Sequence, residues 1–210
     1  MTGSHRLEAI TLIEGALEVE LWRDPTYTPG SADNVHRYGR EIIVGGHRGK
    51  ATGVEARVDG RAVASAVLLC ETGCPGVMDG DALLRDGTLF VSLSDFVVAL
   101  RVPSLEARWM TDVDGACPFG LMEISGADAL LVHGELWITR LGLDGRVQWR
   151  QGGADIFTGG CWIVGDEVVA ADWNGAEYRW RLSDGELLGV VPDAHPPTWA
   201  NAHNPGDAQA

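Results

Sequence analysis

Residues 130–149 read LLVHGELWITRLGLDGRVQW, in which two β-rich runs flank a polar turn and a second turn leads to a third run ending in Trp149. The second turn is Asp144-Gly145. Asp-Gly between β-rich runs is a strong hairpin signal, because a tight turn of suitable twist needs positive φ. Residues 89–109 and 168–189 have the same layout, and residues 42–63 repeat it more weakly. The stretch therefore predicts a repeated unit of short antiparallel strands.

Two independent markers give the period of this repeat. The second turns lie 44, 41 and 40 residues apart, at Asp59-Gly60, Pro103-Ser104, Asp144-Gly145 and Asp184-Gly185. Three cysteines lie 43 and 44 residues apart, at Cys74, Cys117 and Cys161. Each precedes a short apolar run, which we interpret as the first strand of a unit. A further turn at Glu14-Gly15 indicates a fifth copy near the N-terminus.

A unit of four short strands in about 40 to 45 residues, without a helix, is typical of a β-propeller blade. We therefore predict an all-β fold, a small β-propeller of about five four-stranded blades over residues 7–191. Residues 192–210 are rich in Pro, Ala and Asn and are predicted to form a tail. The N-terminal hairpin is a candidate for closing the ring. The alternative is four full blades with an extra N-terminal hairpin.

The repeat over residues 40–190 resembles quinoprotein-type (PQQ-like) and WD40-like propeller repeats. Trp109 and Trp149 occupy the place of the terminal Trp in the quinoprotein-type repeat. The chain departs from that repeat because it has Asp-Gly-Arg at 144–146 and no Thr-Gly-Lys. The resemblance implies the fold and does not imply a pyrroloquinoline quinone site, so no cofactor is expected.

Composition narrows the classes of function. The chain has 210 residues, a formal net charge of −14 and 45% hydrophobic residues. Such a charge repels a phosphate backbone, so nucleic-acid binding is not expected. The composition is that of a globular protein, and no apolar run approaches the ~18 residues of a membrane span. Four cysteines and no apparent secretory signal favour a cytoplasmic protein with reduced thiols.

Two groups of residues are candidates for a site. Equivalent positions on successive blades point at one axis, so Cys74, Cys117 and Cys161 could together bind a soft metal such as zinc. The alternative is that these cysteines only pack as small hydrophobic residues. Ligand contacts are predicted near the connections between blades, at Trp173, Trp162, Asp114, Asp155 and Asp79. The alternative for the carboxylates is ordinary turn chemistry.

The sequence contains no phosphate loop, nucleophile elbow or His-Glu-x-x-His motif. We therefore expect a non-catalytic binding module that uses the channel mouth and adjacent loops. The expected partner is a basic protein, in an immunity- or adaptor-like role, or a small polar ligand. The alternative is a carbohydrate-active hydrolase or sugar-binding propeller that uses channel carboxylates and Trp.

Overall fold

The computed structural model describes residues 9–71, 77–78 and 80–192. These residues form β-strands joined by turns and loops, and no helix occurs among them. Accordingly, the described residues include no helix with the length and hydrophobicity needed to cross a bilayer. The strands form four sheets that follow one another along the chain.

The first sheet contains β1 (Ala9–Glu14), β2 (Leu17–Arg23), β3 (Glu41–Ile43), β4 (Lys50–Val58) and β5 (Arg61–Cys70), in the order β1-β2-β4-β5-β3. The second contains β6 (Ala82–Arg85), β7 (Thr88–Leu93), β8 (Phe96–Arg101) and β9 (Glu106–Asp112). The third contains β10 (Pro118–Glu123), β11 (Ala129–Gly134), β12 (Ile138–Gly142) and β13 (Val147–Gln151). The fourth contains β14 (Cys161–Val164), β15 (Glu167–Ala171), β16 (Glu177–Arg181) and β17 (Leu187–Val191).

These assignments confirm the all-β prediction and its repeated four-stranded antiparallel units. The described residues form four sheets, a number that fits the predicted four to five units, and the N-terminal hairpin is part of one of these sheets and not extra to them. The hairpin β1–β2 is half of the first sheet, because β2 pairs antiparallel with β4 over residues 17–23 and 52–58. The turn at Glu14-Gly15 and the turn at Asp59-Gly60 therefore belong to the same sheet.

Apolar side chains join each sheet to the next. One buried cluster combines side chains of the first and second sheets, a second combines the second and third, and a third combines the third and fourth. In the second sheet the two middle strands are buried on both faces: all six residues of β7 and four of the six residues of β8 are buried. This arrangement is a row of sheets packed face to face.

The repeating tryptophans fasten one sheet to the next. Trp109 Nε1 donates to the carbonyl oxygen of Leu143 at 3.0 Å, and Trp149 Nε1 donates to that of Leu182 at 3.0 Å. Each indole lies against the Asp-Gly turn of the following sheet, at Gly145 and Gly185 respectively. Trp109 and Trp149 are therefore packing residues between neighbouring sheets.

The antiparallel order gives each sheet two distinct ends. Hairpin turns such as Gly15 and Gly87 lie at the lower end, where the Glu14 carboxylate accepts from the amides of Asp86 and Gly87. The upper end carries the turns between the second and third strands and the connections between sheets. Backbone bonds at 2.7 Å join these loops, from Phe157 N to Glu135 O and from Trp173 N to Ile156 O.

Candidate functional site

A shallow hollow of about 510 Å³ lies at the upper end of the third and fourth sheets. It is lined by Leu136, Trp137, Gly152, Gly153, Ala154, Asp155 and Ile156. Leu136 and Trp137 are 39% and 37% exposed, so both present apolar surface to the hollow. Apolar side chains exposed beside backbone and carboxylate groups are typical of a binding surface.

Asp114 holds one wall of the hollow. Its side chain is fully buried, and its oxygens accept from the amides of Ala116 and Leu136 at 3.0 Å and of Trp137 at 3.3 Å. Burial raises the pKa of Asp114, and the amide hydrogen bonds oppose this shift without cancelling it. Asp114 was predicted as a ligand contact; in the structure its oxygens face the loop backbone, which it positions.

Asp172 and Tyr178 hold the opposite wall. The Asp172 carboxylate accepts from the amides of Asn174 and Ala176 at 2.9 Å and from the Tyr178 hydroxyl at 3.2 Å. The same hydroxyl accepts from the amide of Ala154 at 2.8 Å. A buried network thus fixes both the turn after β15 and the loop that lines the hollow, so the surface is organised before any ligand arrives.

Trp173 and Asp155, both predicted as ligand contacts, are brought together beside this hollow. Asn174 Nδ2 donates to Asp155 Oδ2 at 2.7 Å, and Asp155 Oδ1 accepts from the amide of Ile156 at 2.8 Å. Trp173 is 69% exposed although its backbone is anchored to Ile156. Burying an indole inside the core is the favourable default, so an exposed one on a fixed turn points to a contact surface.

The other predicted site residues are placed differently. Trp162 is half-buried in β14, and the indole lies against Gly160. Cys161 carries a free thiol that packs against the apolar cluster of the third and fourth sheets, and burial raises the pKa of this thiol. Asp79 and Cys74 lie outside the described residues.

Cys117 is buried and disulfide-bonded, so in this state it has no thiolate to offer a metal and the expectation of four reduced thiols is not met. Within residues 9–71, 77–78 and 80–192, no group of three His, Cys, Asp or Glu side chains is arranged to hold a metal ion. The structure describes no geometry for a zinc site of Cys74, Cys117 and Cys161, and that site stays a prediction.

A second polar cluster lies in the long connection between β2 and β4. Asp24 is buried, and its carboxylate accepts from Tyr38 at 2.7 Å, from Thr26 at 2.9 Å and bonds His36 Nδ1 at 3.0 Å. Tyr38 also stacks on Trp22. A hollow of about 400 Å³ borders His36 and Tyr38. Because all the partners of Asp24 lie within the chain, the cluster anchors the connection to the first sheet.

Asp24 gives this anchor a defined pH dependence. Burial alone would raise the pKa of Asp24, but the hydrogen bonds from Tyr38, Thr26 and His36 together hold that pKa below its ordinary value. A lowered folded-state pKa stabilises the fold above the unfolded value of about 3.9, and this contribution is lost as the pH falls through the folded pKa.

We expect Asp24→Asn to lower the free energy of unfolding by about 1–3 kcal/mol near neutral pH, since the amide cannot accept all three hydrogen bonds. The difference from wild type should narrow as the pH falls below about 4. Urea denaturation across this pH range measures it. Asp33→Asn, at an exposed position in the same connection, is the control and should stay within about 0.5 kcal/mol of wild type. A difference that is independent of pH would contradict the assignment.

The comparisons with known proteins concern the fold alone. No protein-family model and no curated protein sequence matches the chain. Among solved structures, the computationally designed Ika8 protein matches with a TM-score of 0.56 and 11% identity, covering 89% of this chain and 49% of that chain. A europium-containing methanol dehydrogenase matches with a TM-score of 0.43 and 18% identity, covering 53% of this chain and 24% of that chain. The WD40 β-propeller domain of Doa1 matches with a TM-score of 0.42 and 12% identity, covering 55% of this chain and 40% of that chain.

This chain has a β-propeller-like fold. The designed protein is 11% identical to this chain, so its likeness concerns the fold alone, and no particular repeat family is shown. The chain spans about half the length of the designed protein that it matches.

Sequence reasoning missed Leu136, Trp137 and the Asp24 cluster. Leu136 and Trp137 lie inside the quoted repeat, and nothing in the sequence singled them out as exposed. The sequence does contain a signal for Asp24, which is its position in the repeat. Asp24 directly follows the second strand of the first sheet, as Asp172 directly follows the second strand of the fourth sheet. An Asp at this repeat position accepts backbone or side-chain bonds that close the upper loop.

Proposed function

We propose that this protein is a non-catalytic binding module that recognises a cationic patch on a protein partner. The contact surface is the upper end of the third and fourth sheets, formed by Trp173, Asp155, Asn174, Leu136 and Trp137. The observation that carries the proposal is the 69% exposure of Trp173 on a turn whose backbone is fixed to the neighbouring loop. Exposed, pre-organised aromatic side chains are the usual anchors of protein interfaces.

Charge favours a basic partner. The face of an indole attracts Lys or Arg, and an exposed carboxylate beside it strengthens that preference. Asp155 supplies this carboxylate, and the net charge of −14 would steer a basic protein towards the chain. The partner chemistry we infer is therefore a surface with a protruding Lys or Arg and an apolar residue that fits the hollow.

Sugar binding is the second candidate, because indole faces also stack on sugar rings and Asp155 and Asn174 can bind hydroxyl groups. A hydrolase would need two accessible carboxylates across a glycosidic bond. Asp114, one of the predicted carboxylates, is fully buried and engaged by loop amides. This supports binding over catalysis at the hollow.

The test is calorimetric titration of the purified protein with a lysine-rich peptide containing aromatic residues and, separately, with neutral oligosaccharides. We expect the peptide to bind, and Trp173→Ala to weaken binding at least about tenfold, the usual effect of losing an interface anchor. Stability should change by less than about 0.5 kcal/mol, because Trp173 is mostly exposed.

Ile13→Ala is the matched control, since Ile13 is 72% exposed at the lower end of the first sheet. It should bind the peptide as wild type does. Oligosaccharide binding that depends on Trp173 would replace the proposal with the sugar-binding candidate. If Trp173→Ala leaves the peptide affinity unchanged, the peptide binds at another surface and the proposed contact surface is wrong.

A further inference from the structure

The outermost strand of the fourth sheet differs from those of the second and third. β17 reads LLGVV and has no charged residue, whereas β9 reads EARWMTD and β13 reads VQWRQ. Four of its five residues are exposed: Leu187 by 53%, Leu188 by 44%, Val190 by 43% and Val191 by 48%. Natural proteins usually protect such an edge with charges, because an uncharged apolar edge strand pairs readily with another strand.

β17 also breaks the repeat at the position of the docking tryptophan. Trp109 pairs with Ala99, Trp149 pairs with Arg140 and Gly189 pairs with Arg179, in each case next to the same register shift. Gly189 thus replaces the tryptophan that fastens a sheet to the next one, and nothing lies within 4 Å of where its Cβ would be. The fourth sheet is not built to continue the row of sheets by the device used earlier.

The first sheet shows that this fold accepts an added strand at its outer edge. β3 pairs in parallel with β5 over residues 41–43 and 67–69, and so covers part of that edge. In the fourth sheet, β17 pairs with β16 on one side, and no other described strand pairs with it. The two ends of the row therefore differ in whether the outer edge carries a further strand.

We propose that β17 pairs antiparallel with β17 of a second copy of this chain. With Gly189 on the two-fold axis, Leu187 lies opposite Val191 and Leu188 lies opposite Val190 of the other copy. The strand is thus complementary to itself, as an isologous contact requires, and the pairs on either side of the axis are aliphatic. Gly189 places no side chain at the axis, where the two backbones meet.

Charge favours a second copy at this strand over the other outer edges. Two chains with a net charge of −14 repel each other, so they meet best where no charged side chain intervenes. β9 presents Glu106 and Asp112 along its edge and would add to the repulsion. The pairing of two five-residue strands is smaller than the ~1,200–2,000 Å² of a standard stable interface, so we expect a concentration-dependent dimer that salt strengthens.

Sedimentation equilibrium over a wide concentration range, at low and high salt, tests the proposal. We expect wild type to pass from monomer to dimer, and Val190→Lys to raise the dimer dissociation constant about tenfold or more, because symmetry places two lysines in the interface. Val147→Lys is the matched control, since Val147 is 39% exposed on the outer strand of the third sheet. It should dimerise as wild type does.

Three outcomes would overturn the proposal. One is a wild-type protein that stays monomeric throughout the concentration range. The second is a dimer whose dissociation constant Val190→Lys does not change, because the copies then meet at another surface. The third is protection of the β17 amides from hydrogen exchange in the monomer beyond the protection given by β16, because another segment of the chain then covers the edge. Trp173→Ala should leave dimerisation unchanged, so this inference and the proposed binding surface can fail separately.

Discussion

Trp149→Ala is expected to lower the free energy of unfolding by about 3–5 kcal/mol. Trp149 is only 7% exposed and belongs to the apolar cluster that joins the third and fourth sheets. Its loss would leave a cavity between the sheets and remove the hydrogen bond from Nε1 to the carbonyl oxygen of Leu182. The free energy of unfolding of a domain is only about 5–15 kcal/mol, so this single substitution would remove a large part of the stability of the protein. Urea denaturation followed by circular dichroism measures the loss.

A double-mutant cycle with Gly185 tests whether the indole acts through the turn. Gly185 has a φ of +73°, and a Cβ there would lie 2.8 Å from the Trp149 ring. Gly185→Ala should therefore lower the free energy of unfolding by about 1–2 kcal/mol because alanine disfavours this backbone conformation. The clash with the indole should lower it by about 1–3 kcal/mol more. In the Trp149→Ala background only the backbone cost should remain.

Gly165→Ala is the matched control for the cycle. Gly165 has a φ of +63° in the two-residue turn between β14 and β15, with nothing within 4 Å of where its Cβ would be. It should show the backbone cost alone, and that cost should not depend on Trp149. Additive effects of Gly185→Ala and Trp149→Ala would mean that the indole stabilises the protein without docking on the turn.

The repeated hairpins could be predicted from the sequence because their signals are local. Asp144-Gly145 and Asp184-Gly185 mark the turns, and the β-rich runs on either side form the strands found in the structure. Both turns are longer than two residues, since β12 ends at Gly142 and β13 begins at Val147, and β16 ends at Arg181 and β17 begins at Leu187. The partner of β2 could not be predicted in the same way. It is β4, reached through the long connection after Asp24, and nothing local distinguishes that pairing from a hairpin completed by another segment. The position of the N-terminal hairpin was therefore left between two alternatives.

The same difference between local and long-range signals separates the site residues that were predicted from those that were missed. Trp173 was predicted because it lies in a turn and Asp155 because it lies near a connection between blades, and the structure brings their loops together. Leu136 and Trp137 were missed because their orientation depends on Asp114, 22 residues earlier in the sequence. A buried side chain that accepts from a distant loop has no local signature, so its role emerges only in three dimensions.

Asp114→Asn is expected to destabilise the protein by about 2–4 kcal/mol although the two side chains have the same shape. Both carboxylate oxygens accept from backbone amides, Oδ1 from Ala116 and Oδ2 from Leu136 and Trp137. An asparagine can present an oxygen to only one of these sites and must turn its own NH₂ donor towards the other. Each buried amide left without an acceptor costs about 1–3 kcal/mol. Urea denaturation measures the effect.

The same substitution separates a structural role of Asp114 from a role in direct ligand contact. If Asp114 positions the loop, Asp114→Asn should raise the exchange rate of the Leu136 and Trp137 amide hydrogens before any ligand is added, and Asp155→Asn should not. Asp155 is exposed, so its substitution should change stability by less than about 0.5 kcal/mol while weakening the binding of a cationic partner. Unchanged exchange at Leu136 and Trp137 in Asp114→Asn would show that the loop holds its shape without this carboxylate, and the stability of the hollow would then rest on the Asp172–Tyr178 network alone.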